Sequence, residues 1–309
     1  MSRSRRHRGW PPPDDVTPLP APVTDNHTHL PVPGDTYPGP GSEDPLSAAR
    51  LVERAAAVGV ARTVTSACEA PTWLPSLELA RTLPGVRVAL AVHPNEAVLH
   101  AGVREVGPDG LPPRPAPHHG VGLEEAIDAV GRLAREHAEV VVAIGETGID
   151  LFRTGEQGRE AQIAAFRAHV ALAKELGLPL QIHDRDAHAD CVAVLEADGA
   201  PERTIFHCFS GDVELARTCA AHGWYASVAG PVTYPANETL RAAVAEIPAG
   251  LLLVETDAPY LAPVPFRGGP NASYLLPATV AFLAEQRRRP LDELCRRLEL
   301  NTDQVYGRW

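Results

Sequence analysis

The stretch from Leu251 to Pro263, LLLVETDAPYLAP, decides the fold predicted for this chain of 309 residues. Its first four residues are apolar and lead directly to the carboxylate of Asp257. Pro259 keeps a strand from continuing, because proline has no N–H to donate to a neighbouring strand. A buried strand that ends on a carboxylate is typical of the C-terminal face of a parallel barrel, where catalytic groups are placed.

Seven other segments have the composition of short buried strands, and a helical pattern follows nearly every one. The eight predicted strands are 23–27, 61–67, 86–92, 140–144, 178–182, 204–206, 224–228 and 251–254. The predicted helices are 46–58, 73–83, 123–137, 159–176, 187–197, 212–222 and 236–246, with two more after Leu276 and Leu291. This alternation implies parallel strands with right-handed crossovers. Eight such units predict a single (β/α)8 TIM barrel rather than an open doubly wound sheet.

Two segments are predicted to lie outside the barrel framework. Residues 1–22 are rich in proline and arginine and lack periodicity, so we expect a disordered N-terminal tail before a barrel domain at 23–309. Residues 102–122 contain five prolines and the pair His118–His119. We expect a surface loop insertion there, with both histidines in solvent.

Composition excludes some classes of function. The formal net charge of −11 argues against a broad basic surface for nucleic acid, although bound metal ions can supply positive charge locally. The five cysteines form no CxxC pair, which predicts free thiols in a reducing compartment. We find no apolar run long enough for a bilayer and no export signal, so the prediction is a cytoplasmic protein without a membrane partner.

Histidine or carboxylate side chains stand at the ends of six predicted strands. They are His27, His29, His93, Glu146, His183, His207 and Asp257. In a barrel the strand ends converge on one mouth, and imidazole and carboxylate are ligands for Zn²⁺, Mn²⁺ and similar ions. A single histidine after a buried strand is most often structural, and a polar residue there can cap the next helix. The whole set, spread over different strands, favours a metal site at the C-terminal face.

The residues around these positions resemble a known family. The motifs DNHTHL, AVHPNE, IGETGID, LAKELGLPLQIHDRDA, FHCFSG and ETDAPYLAPVPFRGGPN are similar to those of the TatD-related metal-dependent deoxyribonucleases, within the amidohydrolase-like barrels. The resemblance extends from about residue 23 to the C-terminus. The chain departs from the usual family pattern at Pro31, at Leu151–Phe152 and at Asn271–Ala272–Ser273, all of them near the expected substrate mouth.

The resemblance implies roles for individual residues. His27, His29, Glu146 and Asp257 would hold one divalent ion, and Glu146 would bridge to a second ion. That second ion would be held by His183 and His207, and both ions would be Mg²⁺, Mn²⁺ or Zn²⁺. Asp257 would also orient and deprotonate the attacking water. Four further residues would contact substrate phosphate or sugar: His93, Arg185, Arg267 and Asn271.

The function implied is hydrolysis of DNA phosphodiester bonds, by an exonuclease acting on single-stranded ends. The partner expected is therefore a DNA strand end, and no stable protein partner is inferred. Two alternatives remain open at this point. One is hydrolysis of an amide, lactone or other ester on the same metal cage, since a fold alone does not determine function. The other is a non-catalytic binding protein on a barrel scaffold.

Overall fold

The computed structural model describes residues 9–33 and 46–309. Eight parallel strands form one sheet in which each strand pairs with the next along the chain. The strands are β1 (Thr24–Thr28), β2 (Arg62–Ala67), β3 (Val86–Leu90), β4 (Val141–Asp150), β5 (Leu180–Arg185), β6 (Thr204–Phe206), β7 (Tyr225–Val228) and β8 (Leu252–Val254). The Asn26 amide donates to Val254 O (2.9 Å) and Asp257 N donates to His27 O (3.0 Å), which brings β8 against β1.

Helices lie between the strands and after the last one. They are α1 (Ala48–Ala57), α2 (Ala70–Thr82), α3 (Pro94–His100), α4 (Leu123–Glu136), α5 (Glu156–Leu176), α6 (His188–Asp198), α7 (Val213–His222), α8 (Glu238–Glu246), α9 (Leu276–Gln286) and α10 (Leu291–Tyr306). Strands and helices therefore alternate, and the predicted (β/α)8 barrel is confirmed.

Two apolar layers explain why the strands are buried on both faces. The side chains on the outer face of the sheet pack against the helices in one large core. Val64, Ala89 and Leu253 belong to a smaller cluster that also includes Tyr306, from the end of α10. The hydroxyl of Tyr306 accepts a hydrogen bond from Gln181 Nε2 (2.8 Å). The last helix thus contacts both the inner cluster and a side chain that, as shown below, supports the site.

Strand β4 is longer than the sequence indicates, since it continues from the predicted end at Ile144 to Asp150. The extension passes through two glycines that allow β5 to approach closely. A Cβ at Gly148, where φ is 140°, would lie 2.1 Å from His183 O. A side chain at this position would separate the two strands, and with them Glu146 from His183.

Part of the predicted disordered tail is packed against the barrel. Val16 and Leu19 are buried in the main core, and Leu19 N donates to Val58 O (3.0 Å). Tyr274 donates its hydroxyl hydrogen to Pro11 O (2.8 Å). The prediction of disorder is therefore wrong for residues 9–22, where a few apolar side chains among many prolines are enough to anchor the segment. Residues 1–8 of that predicted tail lie outside the described residues.

The proline-rich insert, residues 102–122, has no strand or α-helix and contains a 3-10 turn at Pro117–Gly120. His119 is buried and His118 is partly buried, so the expectation that both histidines are solvated is wrong. Both rings contact Glu96 of α3.

Over the described residues, no helix is sufficiently long and apolar to cross a membrane. All five cysteines are free.

His169, on α5, is buried without a charged partner and links α5 to the end of β3. Its Nδ1 donates to Ala165 O (2.7 Å) and its Nε2 accepts from Val92 N (3.1 Å). Both bonds are compatible with one neutral tautomer. Burial accordingly lowers the pKa of His169 to about 4 from an ordinary value of 6.5.

This depressed pKa predicts a loss of stability in mild acid. Between about pH 6.5 and pH 4 the unfolded chain binds a proton at His169 and the folded chain does not. The free energy of unfolding should therefore fall by about 2 kcal/mol between pH 8 and pH 5 because of this residue. His169→Leu leaves Val92 N without its acceptor and should be less stable at pH 8. The deficit should shrink by about that amount at pH 5, because the variant has no such proton to take up. Urea unfolding of both proteins across this range measures the difference, and a deficit that is constant with pH would contradict the prediction.

Candidate metal centre

The side chains at the strand ends converge around the carboxylate of Glu146. Glu146 is buried, and its Oε2 lies 2.7 Å from His207 Nε2 and 3.0 Å from His183 Nδ1. Its Oε1 faces the other way, 3.5 Å from His29 Nε2 and 3.9 Å from His27 Nε2. One carboxylate therefore stands between two pairs of imidazoles, one pair at each oxygen.

Asp257 completes the group on the β1 side. Its Oδ1 lies 3.6 Å from His29 Nε2 and 3.9 Å from His27 Nε2, and those two nitrogens are 3.4 Å apart. Asp257 has a φ of 53°, in the left-handed region that aspartate tolerates better than most residues. Its N–H is held by His27 O. This turn is what directs the carboxylate across the barrel mouth instead of along β8.

The tautomer of His27 suits a metal ligand. The Gln181 amide donates to Asn26 O (2.9 Å) and to the Tyr306 hydroxyl, so its Oε1 is the acceptor that faces His27 Nδ1 at 3.0 Å. His27 Nδ1 must then carry the hydrogen, which leaves the Nε2 lone pair directed at the centre. Burial, followed by the neighbouring His207, lowers the pKa of His27 to about 3. A neutral imidazole in this orientation is what a divalent ion requires.

His207 is oriented in the same way by a second buried carboxylate. Glu255 Oε1 lies 3.2 Å from His207 Nδ1 and accepts a hydrogen bond from Cys208 N (2.7 Å). Although burial disfavours the charged ring, Glu146 and Glu255 raise the pKa of His207 well above its usual value. Both carboxylates therefore favour positive charge at this ring, as they would favour a cation beside Glu146.

Sequence reasoning missed Gln181 and Glu255 as supporting residues, although a signal for both was present. Side chains two residues apart on a strand share a side. Gln181 is two residues before His183, and Glu255 is two residues before Asp257. For Gln181, a polar side chain two positions before a ligand within an apolar strand indicates a hydrogen-bond partner for the site, whereas Glu255 follows the last residue of β8 and is marked only by its place at the strand end.

His93 joins the centre from the end of β3. Its Nε2 lies 3.9 Å from Glu146 Oε2, and its Nδ1 accepts the N–H of Asn95 at the start of α3. Burial lowers the pKa of His93 to about 4. Asp150 Oδ2 lies 3.3 Å from His183 Nε2 and accepts from the Asn95 amide (3.1 Å). His93 is therefore neutral, and Asp150 orients the His183 ring.

The residues predicted to contact substrate are not all at the centre. Asn271 is fully buried, and its amide donates to Thr256 O (2.8 Å) and Tyr260 O (2.5 Å). Asn271 therefore shapes the turn after β8, and its contact with substrate stays a prediction. Arg185 and Arg267 are exposed, and their guanidinium groups lie over the rings of Phe152 (3.9 Å) and Tyr234 (4.2 Å). Contact of Arg185 and Arg267 with substrate stays a prediction.

The centre opens into a cleft of about 580 Å³. His29, His93 and Glu146 form its floor. Its lining also includes Arg153, which follows β4, and Arg114 of the insert. Arg185 and Arg267, which the sequence suggested, do not line this cleft. Nothing in the sequence pattern singled out Arg153 and Arg114, because the position of Arg114 depends on how the insert folds back over α3, and Arg153 follows the part of β4 that extends past its predicted end.

The donor set fits divalent ions. Imidazole nitrogens and carboxylate oxygens suit Zn²⁺ and Mn²⁺, and the ligand atoms of His27, His29 and Asp257 all lie within 4.8 Å of one another. The same holds for His27, Glu146 and His207. Together, a parallel barrel and a histidine–carboxylate cage at its C-terminal face define the class of metal-dependent hydrolases.

Comparison with known proteins places the chain within this class. The sequence profile of the TatD-related DNase family matches residues 24–307, so the chain belongs to that family. It is 39% identical to the metal-dependent hydrolase TatD of Mycobacterium tuberculosis (strain ATCC 25618 / H37Rv), named as uncharacterized, over 92% of this chain and 98% of that protein. It is 35% identical to the similarly named YabD of Bacillus subtilis (strain 168), over 76% and 82% of the two chains. The crystal structure of the TatD homologue YJJV of Escherichia coli k12 superposes with a TM-score of 0.73 at 28% identity, over 93% and 98%.

Proposed function

We propose that this hydrolase is a deoxyribonuclease that uses two divalent ions to cleave phosphodiester bonds at the ends of single-stranded DNA. The observation that carries the proposal is the position of Glu146, whose two oxygens face different pairs of histidines. A carboxylate shared in this way can bridge two ions. The family to which the chain belongs is named for DNase activity.

Within this proposal the ligands divide into two sets. His27, His29 and Asp257 would hold one ion, His183 and His207 would hold the other, and Glu146 would be shared between them. Bound there, the two ions supply Lewis acidity for a phosphodiester and lower the pKa of a water molecule. Gln181 and Glu255 keep two of the ligating imidazoles in the tautomer that presents Nε2.

Asp257 has the properties of the base that orients the water. Burial opposes ionisation, yet hydrogen bonding to His29 and the positive charge of His207 keep the pKa of Asp257 below its ordinary value. Its side chain is 14% exposed, so a water molecule can reach it. An ionised carboxylate in this position can accept a hydrogen bond from water and then its proton.

The shape and charge of the cleft favour a strand end over a duplex. Leu111, Pro112 and Pro113 of the insert line the cleft. Arg114 and Arg153 bring positive charge to it among four carboxylates, which the proposed ions would offset: Glu69, Glu96, Glu105 and Glu146. With a formal net charge of −11, the rest of the protein offers no general attraction for a long polyanion. Binding of one or two terminal phosphates needs only the arginines and the ions.

The test is hydrolysis of single-stranded DNA labelled at the 5′ or 3′ end, by metal-stripped protein to which Mg²⁺, Mn²⁺ or Zn²⁺ is returned. Circular single-stranded DNA, blunt duplex and RNA of the same sequence serve as comparison substrates. We expect a ladder that shortens from one end, with the circle left intact. The end from which the label is lost first gives the polarity.

Other outcomes separate the alternatives. Linearisation of the circle would show an endonuclease, and preferential cleavage of RNA would replace DNA as the substrate. If protein with about two bound ions cleaves none of these, the deoxyribonuclease proposal fails. A panel of amides, lactones and phosphotriesters would then be the next substrates, on the same cage.

A further inference from the structure

A second cluster of ligand-type side chains lies where the insert meets α3. It consists of Glu96 and His100 from α3 and His118 and His119 from the insert, and their nearest ligand atoms all lie within 4.8 Å of one another. None of the four is among the side chains assigned to the metal centre. We propose that Glu96, His100 and His118 bind a further divalent cation of the zinc type, which fastens the insert to the barrel.

Three histidine rings surround the carboxylate of Glu96, although two of them already supply hydrogen bonds to it. Glu96 Oε2 lies 2.9 Å from His118 Nε2 and 2.8 Å from His119 Nε2. The His100 ring is also there, with its centroid 5.8 Å from that of His118 and 5.0 Å from that of His119. Ligand atoms around tetrahedral Zn²⁺ are about 3.4 Å apart, so small side-chain movements bring this set to metal-binding distance.

The hydrogen bonds of the rings separate ligands from supporting residues. His100 Nδ1 donates to Val121 O (2.8 Å), which leaves its Nε2 lone pair free to bind a cation. His119 Nδ1 accepts from Ala116 N (2.7 Å), so its neutral ring carries the hydrogen on Nε2 and donates to Glu96. The site therefore has three ligands, Glu96, His100 and His118, while His119 holds the carboxylate in place. Three protein ligands leave one tetrahedral position for water.

Burial is consistent with this arrangement. His100 and His119 are 7% and 8% exposed, and the side chains of His118 and Glu96 are 19% and 13% exposed. A neutral His100 is favoured because burial lowers its pKa. An ion here would join two parts of the chain that are otherwise linked by a proline-rich segment without strand or α-helix.

The ion would also set one wall of the cleft. Glu96 and the insert segment from Leu111 to Arg114 line the same cleft as His29 and Glu146. Fastening His118 to α3 limits how far that segment can move away from the catalytic floor. The binding of this cation does not depend on which bond the enzyme hydrolyses, so failure of the deoxyribonuclease proposal would leave it standing.

The experiment counts bound ions. Metal-stripped wild-type protein and the variants His118→Gln and His100→Gln are dialysed against a buffered concentration of free Zn²⁺, and the metal per chain is measured by mass spectrometry. We expect one ion fewer in each variant than in the wild type. His222→Gln, on the exposed end of α7 beside Glu196, is the matched control and should bind as the wild type does. His119→Gln should keep the ion with an affinity weaker by about 10- to 100-fold.

A second readout follows the insert itself. Arg104 is a trypsin site within it, because Glu105 follows it, whereas the bond after Arg114 leads to Pro115 and resists trypsin. Zn²⁺ should slow cleavage after Arg104 in the wild type and in His222→Gln, and should have no such effect in His118→Gln. Equal metal content in the wild type, His118→Gln and His100→Gln, each shown to be folded by circular dichroism, would overturn the site. Complete loss of the ion in His119→Gln would overturn the assignment of His119 as a donor rather than a ligand.

Discussion

Replacing Asp257 by Asn is expected to reduce hydrolysis at least about 1000-fold while the barrel stays folded. The amide keeps the size of the side chain but can neither accept the proton of water nor contribute a negative charge to the first ion. Asp257 lies 3.6 Å from His29 and 3.9 Å from His27, so the ligand pair on β1 also loses its carboxylate partner. Single-turnover hydrolysis of end-labelled DNA with saturating metal measures the effect.

Asp190→Asn is a suitable control for this substitution. Asp190 pairs with Arg159 on the barrel exterior, and its change removes the same charge without touching the centre. We expect the control to retain nearly full activity. Residual activity in Asp257→Asn above about a tenth of the wild type, with normal metal content, would show that another group activates the water.

Glu146→Gln is expected to remove most of the activity as well, and to do so through the metal content. An amide offers one oxygen to ions where the carboxylate offers two, so the bridge between the ligand sets is lost. Metal bound at the centre should fall from two ions per chain to one or none, and hydrolysis should fall by more than about 1000-fold. Metal analysis after dialysis at a fixed free Mn²⁺ concentration, together with the DNA assay, measures both.

Glu175→Gln serves as the matched control, since the Glu175 side chain is exposed and pairs with Arg135 away from the centre. It should leave both ion content and activity unchanged. Metal counted at the centre must exclude the ion proposed at Glu96, which is done by making both substitutions in the His118→Gln background. Two ions at the centre in Glu146→Gln would contradict the bridging role.

The sequence by itself was sufficient for the barrel, and it named candidate ligands at the strand ends, whose binding of metal stays a prediction. Alternating strands and helices restrict the topology to parallel strands, and parallel strands bring their C-terminal ends to one mouth. Once that is known, His27, His183 and Asp257 must be neighbours, however far apart they are along the chain. The candidate set followed from strand ends because the topology makes them equivalent positions, whereas the assignment of ligands to each ion came from the family resemblance and stays a prediction.

Local pattern was insufficient where burial depends on distant contacts. Residues 9–22 look disordered by composition, yet Val16 and Leu19 find a place in the core only once α1 and the barrel are formed. Asn271 reads as a polar loop residue next to the mouth, but its amide is used to hold the backbone carbonyls of Thr256 and Tyr260. In both cases, whether the side chain is buried depends on groups distant in the sequence that it packs against or bonds to, and not on the residue type.

The finer chemistry belongs to the tertiary structure alone. Which imidazole nitrogen faces an ion is determined by Gln181 for His27 and by Glu255 for His207, across strands that are not adjacent in sequence. The glycines at 145 and 148 set how closely β4 and β5 approach, and hence where Glu146 stands. His118 meets Glu96 only because the insert folds back over α3. A sequence names the donor groups, but hydrogen-bond partners and distances set by packing decide which of them can share an ion.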